Sequence, residues 1–199
     1  MTRYEPSTAL IVVDVQNDFA DPEGSLYVAG GETVVPVVNE QIQAATEAGS
    51  TVVYTQDWHP AHTPHFQQDG GIWPVHCVQD TWGAALHPRL RVVGPVVRKG
   101  TGGEDGYSGF TMRDPVTGET VPTELEGLLR ERGIADVVVV GLATDYCVQA
   151  TVLDAIRLGF PAVVLTDAIA AVDLQPGDGE RARSEMTAAG ARLMPGGAA

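Results

Sequence analysis

Cys147 follows an apolar run (Val137, Val138, Val139, Val140 and, past a glycine, Leu142) and opens a stretch in which Val148, Val152, Ala155 and Ile156 share one helical face. Strand, tight turn and helix put this thiol in the helix's first turn. Free backbone N–H groups and the positive end of the helix dipole favour an anion there, which biases Cys147 toward thiolate. Thr144 and Asp145 are the natural N-caps. A thiol nucleophile needs a base, and amide hydrolysis also needs a proton for the leaving amine. No histidine lies near Cys147 in sequence. Asp14, at the end of another apolar run, can be the base if burial raises its pKa, and Lys99 can stabilise both the aspartate and the thiolate. Lys99 is the one lysine in a chain whose other long basic side chains are all arginine, its neighbour Arg98 included. Each group also has a plainer reading: a buried structural cysteine, a turn aspartate, a solvated lysine.

A second constellation is Asp57, His59, His65 and His76. In an extended segment positions i and i+2 point the same way, so Asp57 and His59 can bind one ion, with His65 and His76 returning across the loop. One carboxylate and three imidazoles suit zinc, iron or manganese, and waters could complete six-coordination. A merely polar His-rich loop is the plainer reading. His62, beside prolines, and His87, before Pro88, read as structural; Cys77 reads as a small buried residue rather than a soft ligand. Phe19, Trp73 and Tyr107 could wall a flat aromatic pocket or simply pack in the core.

The elements that must position these groups alternate. Strands are expected at residues 9–13, 51–55, 94–97, 137–142, 162–166 and 191–194; helices are expected from residue 34 to Gly49, at 122–132, after the Cys147 turn as far as Gly159, and at 178–189. Pro161 forbids continuation of the third helix. Residues 57–83 are rich in His, Pro, Gly and Trp, and so long a loop inside a compact domain is usually functional. Repeated strand–helix units imply an α/β fold, a three-layer α/β/α sandwich around a mainly parallel sheet of about six strands. Ligands bind beyond the carboxyl ends of such strands, the rim on which Asp14, Asp57, Lys99 and Cys147 converge.

With 199 residues and no linker-like tract, residues 1–199 are expected to form a single α/β domain. A net charge of −14 argues against nucleic acid or an anionic membrane as partner. A polar start at residues 1–7, the lack of a spanning apolar run and two cysteines without a disulfide framework fit a soluble, cytoplasmic protein. Homo-oligomerisation stays open.

With these residues in place, the chain resembles the isochorismatase-like cysteine hydrolase family, and within it the nicotinamidase (pyrazinamidase) group. The resemblance rests on DVQNDF at 14–19, TQDWHPAHTPHF at 55–66, WPVHCV at 73–78, RKGTGGEDGYSGF at 98–110 and GLATDYCV at 141–148, in the family's order. It implies a catalytic triad of Asp14, Lys99 and Cys147, metal ligation by Asp57, His59, His65 and His76, and substrate contacts at Phe19, Trp73, Tyr107, Leu142 and Ala143. It further implies a cis bond before Ala143 and an oxyanion hole of the Ala143 and Cys147 N–H groups. The loop from Lys99 to Tyr107 varies in length in the family.

The implied reaction is nicotinamide plus water to nicotinate plus ammonia through a Cys147 thioester, a step of NAD salvage. Pyrazinamide is a further implied substrate, and one divalent metal ion, zinc before iron or manganese, is implied to hold the pyridine nitrogen. Three rivals stand beside it. A metallohydrolase would use metal-bound hydroxide and survive alkylation of Cys147. A sister amidohydrolase would take carbamoyl or ureido substrates with the same triad, though that resemblance brings no such Asp-His-His-His set. A metal-binding or redox module would release no ammonia.

Overall fold

The computed structural model describes residues 4–197, so residues 1–3 of the polar start lie outside the described residues. Its framework is a six-stranded, wholly parallel sheet in the order β3-β2-β1-β6-β7-β8. The strands are β1 (Thr8–Val13), β2 (Thr51–Asp57), β3 (Val96–Lys99), β6 (Asp136–Leu142), β7 (Ala162–Ala170) and β8 (Arg192–Met194). The small strands β4 (Thr111–Arg113) and β5 (Thr120–Pro122) pair separately as an antiparallel hairpin.

Strand β1 is buried along its whole length because it lies mid-sheet with layers on both faces, which is why its TALIVV sequence is apolar without alternation. Leu10 and Val12 pack with Val34, Val38 and Ile42 of helix α2 (Gly31–Glu47) on one face. Ile11 and Val13 pack on the other against α3 (Leu125–Glu131), α4 (Gln149–Arg157) and α5 (Asp178–Ala188). These are the three expected layers. A one-turn helix, α1 (Asn17–Ala20), follows β1.

The chain leaves β1 toward β2 and β3, then returns to β6 on β1's other side. The strand order therefore reverses between β1 and β6, the crevice where open α/β sheets bind ligands. Asp14 directly follows β1, and the Cys147 turn directly follows β6. The two backbones meet closely at Gly141, where a Cβ would lie 2.1 Å from the Val13 carbonyl oxygen and φ is +111°, so only glycine fits.

Three local expectations are corrected. The hairpin was not anticipated, because three-residue strands with exposed or half-exposed side chains leave no apolar pattern. Pro122, expected to open a helix, ends β5, and α3 begins after Thr123, whose hydroxyl accepts the Leu125 N–H. At the turn after β6, Thr144–Val148 form one wide π-type turn before α4, with the N–H groups of Tyr146 and Val148 both on the Ala143 carbonyl. Neither Thr144 nor Asp145 caps it: Thr144 Oγ1 is buried without a partner, and the Asp145 carboxylate instead accepts the Val172 and Asp173 N–H groups. Among the described residues no helix is long and apolar enough to cross a membrane.

Candidate active site

Four side chains expected on one rim meet in a buried cluster. Carboxylate oxygens of Asp14 and Asp57 and the Cys147 sulfur all lie within 4.8 Å of one another. Lys99, with no solvent exposure, sits among them: its Nζ is 2.7 Å from Asp14 Oδ2, bonds Asp57 Oδ1 and the Gly106 carbonyl, and points at Cys147 Sγ from 3.7 Å. Thr55 completes the hold on Asp14, its hydroxyl donating to Oδ1 at 2.6 Å while accepting the Asp14 N–H at 3.2 Å. Gln16 clamps the backbone of Asp57, donating to its carbonyl and accepting its N–H, each at 2.8 Å. Register explains the convergence, since Asp57 pairs with Lys99 across β2 and β3.

Burial pushes the Asp14 carboxyl up; Lys99 opposes this, and the pKa settles at about 6, which suits a base near neutrality. Burial also pushes Asp57 up, but Lys99 and His59 outweigh it and hold that carboxyl well below the usual range. Lys99 would lose its proton through burial, yet Asp14 and Asp57 hold it firmly charged. For Cys147 the expected bias toward thiolate is overturned: burial drives the thiol well up, Lys99 only partly offsets this, and the two carboxylates add to it.

Next to this cluster, ring nitrogens of His59, His65 and His76 lie within 4.8 Å of one another, all three side chains buried. His76 Nδ1–H donates to the Pro74 carbonyl at 2.8 Å, and burial lowers its pKa to about 4, so Nε2 keeps a free lone pair at neutral pH. Both nitrogens of His59 are buried without a hydrogen-bond partner, a costly state that a metal bound at one of them would relieve in part. Asp57 Oδ2 is 3.8 Å from His59 Nε2, while Oδ1 serves Lys99, so this carboxylate borders both clusters. The donor set fits a divalent metal ion.

Beside both clusters opens a cavity lined by Phe19, Trp73, Tyr107, Ala143 and Cys147, with Asp57, His65 and His76 in its wall. Trp73 Nε1–H donates to the Tyr107 hydroxyl at 2.8 Å, joining two walls of the cavity. The Leu142–Ala143 bond is cis. Leu142 is fully buried in the core and is not among the cavity-lining residues. His62 is exposed beside Asp69, His87 lies outside the site, and Cys77 is wholly buried with its thiol driven up by burial.

Leu26, Val28, Tyr146 and Val172 also line the cavity and were not foreseen. Tyr146 had a signal in its adjacency to Cys147. Val172 had none, because the Asp145 bonds to the chain after β7 join residues 27 and 28 positions apart.

The profile of the Isochorismatase domain matches residues 8–195, and the chain belongs to the isochorismatase family. Among relatives, the nicotinamidase of Escherichia coli strain K12 is 40% identical over 206 aligned positions, covering 94% of each chain. Among solved structures, the pyrazinamidase of Pyrococcus horikoshii in complex with zinc superposes with a TM-score of 0.85 at 41% identity, covering 96% of this chain and 99% of its own. PnC1 from L. infantum in complex with nicotinate gives 0.88 at 37% identity, covering 98% and 96%.

Proposed function

We propose that this chain is an amidohydrolase converting nicotinamide to nicotinate and ammonia, with pyrazinamide as a further substrate and residues 1–199 acting as one catalytic domain. The observation that carries the reading is the buried Asp14–Lys99–Cys147 cluster opening beside a three-histidine cluster into one aromatic-walled cavity. The nicotinamidase and pyrazinamidase relatives support the choice of substrate.

Asp14, ionised above about pH 6, takes the thiol proton as Sγ attacks the carboxamide carbon. The N–H groups of Ala143 and Cys147 receive the oxyanion, each such donor being worth about 10²- to 10³-fold in rate. The C–N bond breaks as Asp14 returns its proton to the departing ammonia, leaving an acyl-thioester. Asp14 then deprotonates the water that cleaves it, and the thiol is restored. Lys99 keeps Asp14 and Asp57 side by side throughout. Phe19, Trp73 and Tyr107 hold the ring and exclude water. His59, His65, His76 and Asp57 would hold a divalent ion, zinc first with iron or manganese as alternatives, which supplies a Lewis acid for the pyridine nitrogen and so orients the ring.

The setting proposed is cytoplasmic, with neither nucleic acid nor membrane as partner and homo-oligomerisation allowed. The test is ammonia release from nicotinamide with metal analysis of the same sample. Stoichiometric metal with ammonia release is expected. Turnover of a ureido substrate with none of nicotinamide would overturn the assignment.

A further inference from the structure

One side chain touching the histidine cluster belongs neither to the triad nor to the ligand set. Asp105 Oδ1 lies 2.6 Å from Nδ1 of His65, 40 residues away in sequence, and the two side chains are 13% and 4% exposed. A carboxylate at that distance accepts the bond, so Nδ1 carries the hydrogen and Nε2 keeps the lone pair, on a ring that has a nitrogen within 4.8 Å of ring nitrogens of His59 and His76. Histidine ligands are held in this way by second groups that set both tautomer and ring orientation.

Asp105 can do this because its main chain is held independently of its side chain. Its N–H donates to the Arg113 carbonyl at 2.7 Å and its carbonyl accepts the Arg113 N–H at 3.0 Å, which ties it to β4. A neighbouring tie, Thr63 Oγ1–H to the Gly103 carbonyl at 2.6 Å, joins the same glycine-rich loop to the segment carrying His65.

We propose that Asp105 is a positioning residue for the metal centre, fixing His65 as the Nδ1–H tautomer with Nε2 aimed at the ion; the inference rests on the metal-binding reading of the histidines. The test measures zinc affinity of the full chain by competition with a chromogenic chelator. Wild type is expected to bind one zinc ion. Asp105→Ala should weaken its Kd by about 10- to 100-fold, and Asp105→Asn, which keeps an acceptor oxygen, should lose less. In metal-free wild type, long-range ¹H–¹⁵N spectra should show a proton on Nδ1 of His65, a readout that stands even if a variant fails to fold. Unchanged zinc affinity in folded Asp105→Ala, or an unprotonated Nδ1 in wild type, overturns the assignment while leaving nicotinamide hydrolysis untouched. A wild-type protein that binds no zinc overturns the metal reading and this inference with it.

Discussion

Replacing Lys99 by methionine removes the one cation shared by two buried carboxylates. In the native site Nζ pairs with Asp14 at 2.7 Å and with Asp57, with no solvent to substitute for it. Breaking a buried pair from one side costs about 3 to 5 kcal/mol, which for a chain of this size lowers Tm by roughly 6 to 20 °C. Part of the cost is relieved when Asp14 takes up a proton. Without the lysine its pKa, now about 6, should rise by roughly 1 to 3 units. The stability loss is therefore larger at pH 8 than at pH 6.

The same shift lowers catalysis. A base whose pKa rises by about two units is mostly protonated at neutral pH, costing about 10-fold, and loss of positioning adds on the order of 10²-fold. Lys99→Arg keeps the charge, so its acid limb should stay near that of wild type. Its broad planar guanidinium cannot take the place of Nζ among Asp14, Asp57, the Gly106 carbonyl and Cys147, and kcat/KM should still fall on the order of 10²-fold. The assay is kcat/KM from pH 5 to 9 with thermal melts at pH 6 and 8 for both variants. Near-native activity in Lys99→Arg, or a pH-independent stability loss in Lys99→Met, would refute this reasoning.

Cys147→Ala should abolish turnover while leaving fold and metal content intact, and mass spectrometry of quenched wild-type reactions should show an acyl adduct on Cys147; an active alanine variant rules out covalent catalysis there. In wild type, Asp14 must be ionised to act, so kcat/KM should fall about tenfold per unit as pH drops below about 6; a flat profile down to pH 5 contradicts the assigned base. Pyrazinamide should be hydrolysed and benzamide, which lacks a ring nitrogen, poorly; equal kcat/KM for nicotinamide and benzamide in the metal-loaded enzyme defeats ring orientation by the ion.

The sheet was legible because its strands are dense in buried β-branched residues: β1 and β6 could be read from composition alone. Asp14, Asp57, Lys99 and Cys147 were legible because each ends or follows such a strand, and the three histidines because they share one long loop. What escaped depends on chain segments meeting in space. The helix-terminus argument for a Cys147 thiolate was local, whereas complete burial and two carboxylates arriving from β1 and β2 reverse it. Thr144 and Asp145 looked like caps from the same local view. Asp105 is one of two adjacent acids in a glycine-rich loop until its 2.6 Å contact with His65 is seen.

That loop also constrains how the chain can change length. Three consecutive residues serve three different places: Asp105 holds His65, the Gly106 carbonyl holds Lys99, and Tyr107 bonds Trp73 across the cavity. Neighbouring Cα atoms are fixed about 3.8 Å apart, so none of the three can slide without dragging the others out of place. Gly106 is itself closely packed, since a Cβ there would meet Lys99 and Gly100 at 3.1 to 3.2 Å. Insertions and deletions must therefore be absorbed upstream, where Thr101 and Gly102 are exposed to solvent. A loop graft joined at 101–103 keeps all three connections in register, whereas one spliced at 105 severs the metal cluster, the lysine and the aromatic wall in a single cut.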